Sequence, residues 1–320
     1  MTDAAASPAT LPGPVVAVVG PTGVGKTAIA EALALRLRGE IVSADSMQVY
    51  RGMDIGTAKQ PEERRLVPYH CIDLVDPGEP FSAARYQPCA RSAIERILAG
   101  DGVPLVCGGT GLYVRAALDE MVFPSGHASS PTRERLEQMA EELGPDGLHA
   151  YLAARDPAAA ALIHRNNTRR VLRAIEMLET DGVSYANQHA LLAERRAAYR
   201  TTYLGLTMNR GELYARIGDR VDAMLAAGLL AEVERLLASG YRSAVTASAA
   251  IGYKELVPVL ESGADLQLAV LHIKQATRRY AKRQLTWFRA DPRVQWLDVT
   301  GLSHDDAAEA AFALVSSGIA

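Results

Sequence analysis

The first regular pattern along the chain is Val15-Val16-Ala17-Val18-Val19, an unbroken apolar run rich in β-branched residues. A strand buried on both faces of a parallel sheet has this pattern. The run ends in a glycine-rich turn, and apolar residues then recur at Ile29, Leu33 and Leu37, along one face of a helix. Residues 40–44 read as a second strand, 71–75 as a third and 103–107 as a fourth. Between the last two, Ser82 can cap a helix running to about Leu98 and ended by Gly100. Strands alternating with helices predict βαβ units.

The texture changes after about Phe123. From 130 to 200 the patterns are helical: Asp156-Pro157 reads as an N-cap followed by proline at the first helical position, and Val171, Leu172, Ile175 and Leu178 form an apolar stripe. Strand patterns return at 202–207 and 294–299. The expected organisation is an α/β core at 14–124 and 198–312, the latter with C-terminal helices, interrupted by a helical insertion domain at 125–197.

Composition narrows this picture in a few places. A net charge of −3 over 320 residues means that any nucleic-acid site must come from local clusters of cations. Lysine is scarce (Lys26, Lys59, Lys254, Lys274 and Lys282), so each one is informative. Cys71, Cys89 and Cys107 are widely spaced without a CxxC pair, which predicts free, mostly buried thiols and a reducing, cytoplasmic setting. The first thirteen residues lack the apolar stretch of a secretion signal, and no run is long enough to span a membrane.

Gly20-Pro21-Thr22-Gly23-Val24-Gly25-Lys26-Thr27 fits GxxxxGK[ST] between a strand and a helix. The glycines let backbone N–H groups converge on an anion at a helix N-terminus. Lys26 adds a point charge, and the Thr27 hydroxyl can ligate Mg2+. This makes the fold class a P-loop NTPase-like parallel sheet core flanked by helices, and the ligand a di- or triphosphate. An ATPase or kinase commonly holds its metal's water shell with an acidic residue at another strand end. Residues 103–107 run instead into Gly108-Gly109-Thr110-Gly111, without a carboxylate. Asp73 could take that role. Asp45, directly after the second strand, falls beside the P-loop at the carboxyl ends of the strands. A turn or capping aspartate is an equally good reading of its position.

From Asp45-Ser46-Met47-Gln48-Val49-Tyr50-Arg51 onward the chain resembles the bacterial tRNA dimethylallyltransferase family. The resemblance continues through Met53-Asp54-Ile55-Gly56-Thr57-Ala58-Lys59, His70-Cys71-Ile72-Asp73-Leu74-Val75-Asp76-Pro77 and Gly108-Gly109-Thr110-Gly111-Leu112-Tyr113. It resumes at Ile163-His164-Arg165-Asn166, Arg169-Arg170-Val171-Leu172-Arg173-Ala174-Ile175-Glu176 and Ile251-Gly252-Tyr253-Lys254-Glu255. It closes at Lys282-Arg283-Gln284-Leu285-Thr286-Trp287-Phe288-Arg289. These segments follow the family's order across residues ~15–300.

The resemblance implies transfer of a dimethylallyl group from dimethylallyl diphosphate to N6 of adenosine 37, beside the anticodon of tRNA, with release of pyrophosphate. It makes Asp45 the base, with Thr27 and Arg220 also catalytic. It assigns residues 20–27 and Arg220 to the donor's pyrophosphate, and Mg2+ to Thr27. It further implies RNA contacts at Asp45, Ser46, Met47 and Gln48, at Thr110 and Arg133, and at Arg169, Arg170 and Arg173. Ile251, Gly252, Tyr253 and Lys254 complete that set, with Lys282 and Arg283 from a basic helix stripe that includes Lys274, Arg278 and Arg279. Adenosine 37 must leave the stacked loop to reach a pocket. The chain departs from the family at Ala249-Ala250, where some members carry arginine, and at Gln60, where proline is common. A monomer is the expected state. The competing readings are an adenylate isopentenyltransferase acting on free AMP or ADP, a small-molecule kinase and a non-catalytic RNA-binding protein.

Overall fold

The computed structural model describes residues 11–124, 131–243 and 246–319. The alanine-rich N-terminal stretch and the expected start of the insertion at 125 lie outside them. The chain forms two compact units: one runs to Asp119 and resumes at Ala197, and the other is Glu120–Arg196.

In the larger unit the apolar run forms β1 (Val15–Val19), every residue of which is fully buried. It is followed by α1 (Lys26–Leu37), β2 (Glu40–Ser43), β3 (Tyr69–His70), α2 (Ala83–Ala99), β4 (Pro104–Gly108) and α3 (Gly111–Leu118). The Ser82 side chain accepts from the Arg85 N–H and Gly100 ends α2, as local capping chemistry predicts.

The smaller unit is helical: α4 (Pro131–Arg155, interrupted at Gly144), α5 (Pro157–Leu162), α6 (Thr168–Asp181) and α7 (Tyr185–Ala193). Asp156 caps α5 by accepting from Ala159 N–H at 3.0 Å. This unit has its own core, in which Val171, Leu172 and Ile175 of α6 pack with Leu136, Leu148 and Leu152 of α4.

The larger unit resumes with β5 (Thr201–Thr207), α8 (Arg210–Ala226), α9 (Leu229–Ala238), α10 (Val257–Ser262), α11 (Leu266–Arg289), β6 (Val294–Asp298) and α12 (His304–Ile319). Its sheet is wholly parallel, in the order β3-β2-β4-β1-β5-β6. Because β1 and β2 both run parallel to β4, the loops after these strands lie at the same end of the sheet, where open α/β sheets bind ligands.

The third strand departs from expectation. It covers only Tyr69 and His70; the predicted run at 71–75 begins with a bend, with Cys71 and Asp73 at positive φ (61° and 53°), and keeps strand pairing only as a parallel bridge of Val75 to Tyr50. A long-range contact holds this bend. Lys59 is buried, and its ammonium donates to Tyr50 O at 2.9 Å, Asp54 Oδ1 at 2.6 Å and Asp73 Oδ1 at 2.5 Å. The cysteines are free, Cys71 and Cys107 buried and Cys89 exposed on α2. Among the described residues, no helix is long and apolar enough to cross a membrane.

Candidate active site

The P-loop joins β1 to α1. Gly20 has φ 145°, and a Cβ there would lie 2.5 Å from the Leu206 carbonyl oxygen of β5, so glycine lets the turn pass close against the next strand. Gly23 and Gly25 also have positive φ (84° and 99°); Gly23 is covered by Leu213 and Ile217 of α8, and Gly25 faces open space. Val24 is buried, and its N–H points to Pro21 O at 3.5 Å.

Lys26 Nζ donates to Pro21 O at 2.8 Å, which folds the ammonium back into the loop. Its pKa is lowered to about 8, chiefly by burial and also by the Arg220 charge, against the opposing effects of Cys107 and Asp45. Burial likewise lowers the pKa of Arg220, opposed by the negative charge of Asp45. Lys26, Arg220 and Asp45 therefore form one coupled electrostatic group.

The Thr22 N–H donates to Gln284 Oε1 at 2.8 Å, and Gln284 Nε2 donates to Gly109 O at 2.9 Å. Gln284, on α11, is buried and ties the P-loop to the turn after β4. The same turn reaches β2's end, because Thr110 Oγ1 accepts from Ser46 N–H at 3.0 Å. Asp45 Oδ1 accepts from Met47 N–H at 2.9 Å, so the turn role foreseen for Asp45 is present alongside its place in the cavity. Gln48 bridges Ser43 Oγ at 2.9 Å and Thr57 O at 3.3 Å. Tyr280 of α11 stands at this junction, its phenol pushed up to about 12 by burial and then by Asp45, against interactions with Thr110 and Gln284.

Two cavities meet here. A small one of about 70 Å3 lies against Lys26, Thr27, Gln48, Cys107 and Gln284. A larger one of about 360 Å3 is walled on one side by Ile217, Val221 and Met224 of α8 and Ile273 of α11. Its other wall comprises Ser46, Met47 and the segment Ile251, Gly252, Tyr253 and Lys254, with Arg279 and Arg283 also contributing. Thr22, Asp45, Thr57 and Arg220 line both. Ala249, where the chain departs from the family, lines the larger one.

Several of the expected residues have partners within the protein. Asp73 accepts from Lys59 Nζ at 2.5 Å. The basic stripe of α11 is divided: Lys274 pairs with Asp222 at 2.7 Å, and the Arg278 guanidinium lies 5.4 Å from the centre of the Tyr214 ring. Lys282 is exposed and lines neither cavity, whereas Arg283 is exposed and reaches the larger one. In the helical unit, Arg169 and Arg170 are exposed. Arg173 is bound instead to the buried Glu176 at 2.9 Å, and Arg133 lies 3.8 Å from the same carboxylate while bonding Glu137 at 2.7 Å.

Gln284 escaped sequence reasoning, although a signal was present. It falls in the buried stripe Ala281, Gln284, Phe288, where a polar residue must have buried partners.

Known proteins match this arrangement along nearly its whole length. The model of the family described as IPP transferase matches residues 48–291, and that described as isopentenyl transferase matches 13–76. The "tRNA dimethylallyltransferase" of Bacillus velezensis is 49% identical over 288 residues, which are 90% of this chain and 91% of that one. The solved structure of the tRNA isopentenylpyrophosphate transferase of Bacillus halodurans is 42% identical, covers 95% of this chain and 96% of its own, and superposes with a TM-score of 0.71. A eukaryotic dimethylallyltransferase captured acting on tRNA is 30% identical, with 95% and 78% coverage and a TM-score of 0.80. On this likeness, and on the family match from Gln48 to Asp291, the chain belongs to the IPP transferase family of tRNA dimethylallyltransferases.

Proposed function

We propose that this protein transfers the dimethylallyl group of dimethylallyl diphosphate to N6 of adenosine 37 in tRNA. The observation that carries this reading is the junction of two unlike cavities at Thr22, Asp45, Thr57 and Arg220. The small compartment, with Lys26 and Thr27, suits a diphosphate. The large compartment offers an apolar wall for a short branched alkenyl group and room for a base extruded from the anticodon loop.

The chemistry follows from that division. The adenine N6 lone pair is delocalised into the ring, so it is a weak nucleophile until a base removes a proton. As N6 bonds to the allylic carbon, the carbon–oxygen bond to the diphosphate breaks and its electron pair leaves with pyrophosphate. Asp45 takes the N6 proton. Lys26 and Arg220 face the charge that grows on the leaving group, and such preorganised charge is a main lever of catalysis.

The residues present fit Mg2+. Among the described residues no cluster of three or more His, Cys, Asp or Glu could hold a metal ion alone. Mg2+ characteristically takes few protein ligands and completes its shell with substrate phosphates and water. The Thr27 hydroxyl at the start of α1 would be such a ligand, and the ion would neutralise part of the pyrophosphate's charge.

A monomer is the state proposed for the enzyme. The test is mass spectrometry of nucleosides from an anticodon stem-loop incubated with protein, Mg2+ and dimethylallyl diphosphate. Dimethylallyladenosine at position 37 is expected, with AMP left unmodified and ATP not consumed. Prenylation of AMP with no product on RNA would establish the free-nucleotide reading instead.

A further inference from the structure

The loop after β2 contains a second point where consecutive backbone N–H groups converge on an anion. The anion is part of the protein. Glu232, on α9, is 1% exposed. Its Oε2 accepts from Asp54 N–H at 3.2 Å and Ile55 N–H at 2.9 Å; its Oε1 accepts from Gly56 N–H at 3.1 Å and the Tyr253 hydroxyl at 2.7 Å. A buried carboxylate is costly unless its lone pairs are satisfied, and here four donors from two distant segments do so. The fit is close: a Cβ on Gly56 would collide with the Tyr253 ring.

These segments line the large cavity. Gly56 and Thr57 contribute from the loop, Leu229 from the start of α9, and Ile251, Gly252, Tyr253 and Lys254 from the third segment. Only Thr57 of these residues also lines the small compartment. The carboxylate thus fixes one wall of the cavity relative to another while the P-loop has separate anchors.

We infer that Glu232 is a positioning residue for the RNA substrate: its carboxylate, held by Asp54–Gly56 and Tyr253, sets the wall against which the extruded adenosine docks. This rests on the tRNA-prenylating reading above. Neutral glutamine cannot replace it, because its amide would turn an NH2 group toward N–H or O–H donors.

The experiment compares wild type, E232Q, Y253F and the double variant. It measures separately the Kd for an anticodon stem-loop, the Kd for dimethylallyl diphosphate, and kcat at saturation. E232Q is expected to weaken stem-loop binding at least about tenfold and Y253F about threefold, in keeping with loss of hydrogen bonds to a buried charge. For E232Q, donor Kd should stay within about twofold and kcat within about threefold, since the donor grip lies elsewhere. Adding Y253F to E232Q should weaken RNA binding by less than in the wild-type background, because both act through one contact. Unchanged RNA binding in E232Q, equal weakening of both substrates, or fully independent effects would overturn the inference. Should E232Q not fold, E232D decides, because it keeps the charge but is too short to hold residues 54–56 and the Tyr253 hydroxyl together: weaker RNA binding with unchanged donor binding supports the inference, and unchanged RNA binding overturns it. A wild-type protein that binds the stem-loop without prenylating it would remove the proposed function and leave this binding test standing.

Discussion

Two loops at the same end of the sheet use the same device to opposite ends. The P-loop after β1 is the loop proposed to direct backbone N–H groups at the donor's pyrophosphate, and residues 54–56 after β2 direct theirs at a carboxylate. The second is filled from within by Glu232 and braced from behind by Lys59. The first faces a compartment lined by Lys26 and Thr27. Glycine and N–H geometry alone do not mark a ligand site. The distinction comes from whether a carboxylate of the protein lies within reach, and Glu232 is supplied by a segment more than a hundred residues away in sequence.

The sharpest test of the ligand-binding loop is its reacting partner. Asp45→Ala should lower kcat by about 10²–10⁴, the usual cost of losing a general base, with stem-loop affinity changed only a few-fold. A variant keeping more than half of wild-type turnover would remove Asp45 from the chemistry.

Next in size is the charge on Lys26. Lys26→Ala should weaken donor binding by about 10–100-fold, the worth of a hydrogen bond to a charged group. Because burial holds the ammonium at about 8 rather than 10.5, its charge is present below that value and lost as pH rises through it. Donor affinity should therefore be level below pH 8 and fall above it, whereas K26R, which keeps its charge, should lack that fall. Calorimetric titration across this range would show which profile holds; a level wild-type profile would break the assignment.

Gln284 joins the loop to the rest of the site without carrying charge. Gln284→Leu strands the Thr22 N–H and the Gly109 carbonyl and should cost about 1–3 kcal/mol in stability, read from urea unfolding. A loss within experimental error would mean that the bridge contributes nothing to holding the loop.

The smallest expected effects concern the exposed cations of α6. Arg169→Ala and Arg170→Ala should each flatten the salt dependence of tRNA binding by about one unit of slope. Arg173→Ala should change it less, because that side chain already neutralises Glu176. Equal slopes for all three variants would show that RNA draws Arg173 out of its ion pair.

The readable parts of the chain were those whose cause is local. The run at Val15–Val19, the caps at Ser82 and Asp156, and the P-loop glycines each reflect neighbouring residues, and the structure has a buried strand, two side-chain caps and positive φ at Gly20, Gly23 and Gly25 in those places. The strand expected at 71–75 was not readable, because its bend depends on Lys59 meeting Asp73. The pairing of Arg133 and Arg173 with the buried Glu176 was likewise not readable from the sequence. Glu232 has a faint sequence signature, since it interrupts the buried stripe Leu229, Val233, Leu236 of α9. A charged residue on an apolar face says that partners exist, but not that they are Asp54 to Gly56 and Tyr253.

The strand order also bears on how the chain must assemble during synthesis. β1 is made early yet lies near the middle of the sheet, between β4 and β5. Its first neighbour arrives at Pro104 and its second only at Thr201, after the whole helical unit. Until then one side of a fully apolar β-branched strand has no partner, and such an edge readily pairs with other chains. Long-range parallel pairing of this kind is slow to form. A nascent chain stalled before Thr201 would therefore display the P-loop on an unfinished sheet and be a target for chaperones, even though the Glu120–Arg196 unit has a core of its own.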